Sequence, residues 1–135
     1  MKTRFAPVAA LTFIALTTAS VATAEDTLSS RMGTTATIDA KTNTLTLVLK
    51  GKDSGIYVNT EFGTKCTFTG VDGGTVAKPE LTKADAKFED AGKPGKAKSA
   101  TFTVGATKKV RGECRMVACS DSACSAPFTL PFSTP

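Results

Sequence analysis

The chain has 135 residues, a net charge of +5 from 17 basic and 12 acidic side chains, four cysteines, and neither histidine nor tryptophan. That length supports one domain, and 41% hydrophobic with 21% charged residues is a globular composition, not a disordered one. Without histidine there is no Ser-His-Asp or Cys-His nucleophile, no histidine base and no histidine-ligated zinc. Nucleotide motifs are missing too, so hydrolase or kinase chemistry is not expected, and the cysteines are the concentrated reactive groups that remain.

Residues 1–24 carry the three-part pattern of an export signal. Lys2 and Arg4 form a positive start, residues 8–16 (VAALTFIAL) an apolar run, and Ala22-Thr23-Ala24 a small-x-small cleavage signal before Glu25. The run is too short to anchor the chain in a bilayer, and no cysteine follows it for lipid attachment. The expected mature unit is therefore residues 25–135, periplasmic or secreted, with no membrane insertion. Losing Lys2 and Arg4 lowers the net charge to about +3, too little to argue for nucleic-acid binding. Lys93, Lys96 and Lys98 lie among Gly and Pro, and Lys108-Lys109 with Arg111 form a short basic turn; both read as solvated loops.

From there the apolar pattern has period two and is rich in Thr, Val and Phe, which predicts strands. Residues 34–39 and 45–49 form a hairpin through Lys41-Thr42-Asn43. Residues 56–59 and 64–69 follow, separated by a turn at Gly63. A long excursion at about 73–98, rich in Lys, Ala, Gly, Pro and Asp, reads as a loop with one helical turn near 83–87. Residues 100–104 and 113–119 are strands joined by 105–112, and residues 128–132 close the chain, Pro131 marking an edge or terminal strand. The pattern predicts an all-β fold, an immunoglobulin-like β-sandwich of about seven short antiparallel strands.

Alternation puts Cys66 and Phe68 on one face of their strand. It puts Cys114, Met116 and Ala118 on one face of theirs and Cys119 on the other. Cys66 with Cys114 is then the core-facing pair and Cys119 with Cys124 a small-loop pair, although four cysteines allow three pairings. A long-range bridge removes much unfolded-state entropy, whereas one closing four residues removes far less, so stability is a weak reason for the second. Exposed small-loop disulfides are the kind another thiolate attacks. Purely structural bridges are the alternative, as in many small exported domains. A four-cysteine zinc site lacks Cys-x-x-Cys knuckles and is not expected. No metal or other cofactor is implied.

The segment 118–127, ACSDSACSAP, resembles the redox-active segment of the N-terminal periplasmic domain of DsbD-type thiol:disulfide interchange proteins. In that family a strand ends in a Gly-Cys-Ala/Ser-Asp run, with a second cysteine and a proline close behind. Upstream, residues 55–62 (GIYVNTEF) resemble the stretch that opens the family's core. The resemblance implies an immunoglobulin-like sandwich with Cys119 and Cys124 as a reversible pair. It implies as partners a membrane thiol-disulfide transporter and thioredoxin-fold periplasmic proteins; the chain is expected to be a monomer. By position, Phe88 would be the phenylalanine of a cap loop over the pair. The chain departs from the family in having four residues between the cysteines, where the best-known members have five. It also has Met116-Val117 before the first cysteine and the additional pair Cys66 and Cys114.

Two charges bear on reactivity. Asp121 inside the loop disfavours a neighbouring thiolate, and Arg115 offsets it if it faces the Cys119 side. The competing function is a non-catalytic binding or structural module with two inert disulfides, whose face would draw on Tyr57, Phe62 and Phe88.

Overall fold

The computed structural model describes residues 28–135, so the expected export signal lies outside the described residues. Nine strands follow in chain order: β1 (Met32–Asp39), β2 (Thr44–Gly51), β3 (Tyr57–Asn59), β4 (Lys65–Val76), β5 (Glu80–Thr82), β6 (Lys87–Lys93), β7 (Lys96–Met116), β8 (Ala118–Cys119) and β9 (Phe128–Ser133). Every pairing is antiparallel. The expected all-β sandwich is observed, with nine strands in place of about seven.

Two elements differ from expectation. Residues 100–104 and 113–116 are parts of one 21-residue strand, β7, and residues 105–112 are its middle. The first half of β7 lies between β2 and β6, and the second half between β4 and β9, so one strand belongs to both layers. The switch falls around Gly105 and Lys108, whose φ of 62° breaks the regular pleat. Opposite it, β4 bulges between Val71 and Thr75, with Asp72 and Gly73 also at positive φ.

The stretch 73–98 is the second difference. It holds the end of β4, then β5, a 3₁₀ turn at Lys83–Asp85, β6 and the start of β7. The expected helical turn is present, capped by Asp85, which accepts from the Thr82 N–H at 2.9 Å. The sequence does not mark these strands because β5 and β6 are edges with few buried positions: β6 turns only Phe88 and Ala91 partly inward. Edge strands with lysines and glycines resist pairing with other chains, and the same residues erase the alternation that marks a strand.

Between the layers lie Leu45, Leu47 and Leu49 of β2, Val58 of β3, and Phe102, Val110 and Met116 of β7, all fully buried. In β2 they alternate with the half-exposed Thr44, Thr46 and Val48, the pattern of a strand wet on one face. Each such leucine contributes about 1.5–3 kcal/mol by leaving water. Cys66 and Cys114 are also fully buried and bonded to each other, as alternation predicts. They are register partners on β4 and β7 with Cα atoms 4.0 Å apart, so the bridge ties neighbouring strands of one layer and does not cross between layers. Phe68 and Phe132 stack beside it with ring centroids 5.3 Å apart.

Candidate functional site

The second bridge, Cys119–Cys124, forms as expected. The strand regularity breaks at Val117, between β7 and β8, and β8 then pairs with β3, Cys119 lying opposite Tyr57. From Cys114 to Cys119 every residue but Arg115 is buried, so the expectation that Cys119 points away from the Cys114 face does not translate into exposure. Cys119 is 0% accessible, whereas Cys124 is exposed.

The loop between them is a miniature hairpin. Ser120 N–H donates to Ala123 O at 2.7 Å, and Ser125 N–H to Ala118 O at 2.7 Å. Ser120 Oγ accepts from the N–H groups of Ser122 and Ala123, and Ser125 Oγ accepts from Ala118 N–H. These serines satisfy backbone donors that so short a turn leaves unpaired.

Two side-chain groups grip the loop from outside. Asn59, at the end of β3, accepts through Oδ1 from the N–H groups of Glu61 (2.8 Å) and Phe62 (3.1 Å). Its carbonyl being engaged, its amide nitrogen is the end that faces Cys124 Sγ, at 3.9 Å. On the other side, β6 and β7 are joined by Pro94-Gly95, with Gly95 at φ 71°, as a tight turn requires. This hairpin is fastened to the turn after β3 by Thr60 N–H donating to Gly95 O at 2.9 Å. It presents Lys93 and Lys96 to the disulfide loop: Lys93 pairs with the Asp121 carboxylate, and Lys96 Nζ donates to Asp121 O at 3.2 Å. Lys93 Nζ also sits 5.3 Å from the centroid of the Tyr57 ring, within cation–π range.

The electrostatics follow from this grip. Chiefly through its hydrogen bond with Lys93, the Asp121 carboxyl is held below its ordinary range, and Tyr57 adds a smaller hydrogen bond. Asp121 raises Lys93 in turn. The negative charge beside the cysteines is therefore matched by an ammonium group.

The structure gives the other expected residues different places. Arg115 is exposed on the β4–β7–β9 layer, opposite Lys65 and Thr129, so it does not offset Asp121; Lys93 does. Phe88 is not in a cap loop. It lies on β6 opposite Ala100 of β7, packs partly against the core, and lines a cleft with Thr60, Lys93 and Lys96 on the hairpin that faces the disulfide loop, with β7 and β3 between it and β8. The aromatic ring nearest the bridge in register is Tyr57. Of the face proposed from Tyr57, Phe62 and Phe88, only Tyr57 and the backbone of Phe62 take part. Lys93 and Lys96, expected in a solvated loop, instead end β6 and begin β7 and meet Asp121; turns and register bring them and Asn59 together, which spacing along the chain does not reveal.

All four cysteines are in disulfides, so none is a free thiolate ligand for a metal. Among the described residues no helix is long and apolar enough to cross a membrane. No protein-family model matches the chain, and no curated protein does.

Proposed function

We propose that this is an exported thiol–disulfide exchange protein, similar to the N-terminal domain of DsbD-type interchange proteins, working through Cys119–Cys124. The observation that carries the reading is the contrast between its two bridges: Cys66–Cys114 is wholly buried, whereas Cys124 is an exposed residue at the end of a six-residue hairpin.

Exposure assigns the roles. A partner thiolate attacks Cys124 Sγ, the S–S bond breaks, and Cys119 leaves with the electron pair and takes up a proton. A second partner thiol then attacks the partner's own sulfur in the mixed disulfide and releases Cys124, so the pair gains two electrons and the partner becomes a disulfide. In reverse, a Cys124 thiolate attacks a partner disulfide and Cys119 resolves the mixed species. The Asn59 amide supports a thiolate at Cys124, since a hydrogen bond to the charged form favours it. The natural partners for such a domain are a membrane thiol-disulfide transporter and thioredoxin-fold periplasmic proteins. An oxidising, extracytoplasmic location suits two disulfides in so short a chain.

One observation favours a second reading, a non-catalytic module with two structural bridges: Cys119 is fully buried, and burial makes it a poor leaving thiolate. Graded reduction in glutathione buffers, followed by alkylation and mass mapping, separates the two. Opening of Cys119–Cys124 at about −180 to −230 mV while Cys66–Cys114 survives is the result expected for exchange. Survival of both down to about −300 mV rejects it in favour of the structural module.

A further inference from the structure

Beside the disulfide hairpin, a cleft of about 310 Å³ opens on the outer side of the β2–β7–β6 layer, lined by Lys50, Asp53, Ile56, Tyr57, Ala91 and Lys98 among others. Its accessible apolar lining is Tyr57 and Ala91, with the buried Ile56 behind them. Asp53, the one acid named in it, is engaged by Arg31, which donates to both carboxylate oxygens. Lys50 and Lys98 have no ion-pair partner among the described residues. The cleft thus carries two uncompensated cations over an apolar floor.

Its position gives it meaning. Tyr57 lines the cleft and also stands opposite Cys119, and Asn59, on the same face of β3, touches Cys124 Sγ. Residues two apart on a strand are separated by about 7 Å. An extended chain covers that distance, and the extra reach into the cleft, in about three residues.

We propose that the cleft receives an acidic segment of the exchange partner, with a carboxylate between Lys50 and Lys98 and an apolar side chain on Tyr57 and Ala91. The acid stands two or three residues from the partner cysteine that meets Cys124. The proposal rests on Cys124 being the exchanging sulfur, and it names the class of partner: a protein whose reactive cysteine follows an acidic and apolar stretch.

The test uses two capped tetrapeptides, Glu-Leu-Gly-Cys and Gln-Leu-Gly-Cys, as thiol probes of the oxidised protein, reading the rate of mixed-disulfide formation at Cys124. Two exposed ion pairs predict a rate about fivefold higher for the Glu peptide at low salt, the ratio shrinking as ionic strength rises. Combining Lys50→Gln with Lys98→Gln abolishes the ratio, and Lys41→Gln, in the turn between β1 and β2, leaves it intact. Equal rates in the wild type, or a ratio unchanged in the double variant, overturn the proposal. If neither peptide reacts, the exchange reading has failed, and the cleft is judged by Glu-Leu-Gly-Ser instead. Saturable amide shifts at residues 50, 57 and 98 then support an acidic ligand, and their absence overturns it. Citrate matching the Glu peptide in those shifts, with no rate difference between peptides, makes this a small-anion site and overturns the peptide assignment.

Discussion

Asn59 points its amide nitrogen at Cys124 Sγ because its carbonyl oxygen is held by the backbone of Glu61 and Phe62. The turn that ends β3 thereby fixes the chemistry offered to the Cys124 sulfur: a donor, not an acceptor. Asn59→Asp keeps the turn, since a carboxylate oxygen accepts the same two N–H groups, and replaces the donor with a negative charge. After reduction, alkylation of Cys124 is expected to slow about tenfold at neutral pH, equivalent to a thiol raised by about one unit. The pH profile of the alkylation rate checks this, and an unshifted profile removes Asn59 from the mechanism.

The two bridges are expected to differ in what they hold. In the chain-entropy model, replacing Cys66 and Cys114 by Ala costs about 4 kcal/mol, and replacing Cys119 and Cys124 by Ser about 2 kcal/mol. The sequence separations of 48 and 5 set that order. Urea denaturation of the two double variants measures the difference. A larger loss from the small-loop pair would mark it as a structural brace and weaken the exchange reading.

Lys93 and Asp121 define a pH window. The Asp121 carboxyl lies below its ordinary 3.8 and Lys93 above its ordinary 10.5, each mainly through their shared hydrogen bond. A lowered carboxyl favours the folded arrangement above its unfolded value and loses that contribution as pH falls through the folded one. A raised amine contributes below its unfolded value and loses the contribution as pH rises through the folded one. The grip on the loop is therefore expected to be constant from about pH 5 to 9 and to open only in stronger acid or base. Amide shifts of residues 120–123 follow it, and a midpoint near neutrality would contradict the pairing.

Gly112 of β7 lies between Phe68 of β4 and Phe132 of β9. A Cβ there would lie 1.9 Å from Thr67 O and 2.6 Å from Phe132 Cζ. Backbone cannot yield as a side-chain tip does, so Gly112→Ala is expected to cost about 3 kcal/mol, measured by urea denaturation.

Thr64 offers the opposite sign. It is fully buried, and Oγ1 has no hydrogen-bond partner among the described residues. Thr64→Val keeps the shape and removes the unpaired hydroxyl, so thermal and urea denaturation should show a gain of about 1 kcal/mol.

The hydrophobic skeleton was legible wherever one strand face is buried. Leu45, Leu47 and Leu49 announce β2, and Asn43, at φ 50°, turns the hairpin foreseen for it. What misled was chemistry that serves two ends. Gly105, Lys108 and Gly112 look like a turn, yet they let β7 bend from one layer into the other. The lysines and glycines of β6 look like a loop because an edge strand buries little. At the candidate site, the small loop and the resemblance pointed to Cys119 and Cys124. Alternation misjudged the burial of Cys119, since the break at Val117 resets the face. Asn59 is 65 residues from Cys124, and Lys93 is 28 from Asp121, so only the completed fold could pair them.

Tyr57 is the chain's one tyrosine, and there is no tryptophan. Its ring lies under Lys93 and opposite Cys119, at the junction of the hairpin and the cleft. Nearly all of the protein's near-ultraviolet emission therefore originates at that junction. Breaking the S–S bond, lifting the ammonium group or seating a ligand each changes the surroundings of the same phenol. The protein carries an optical gauge of its own site, with no label to attach and no second fluorophore to subtract.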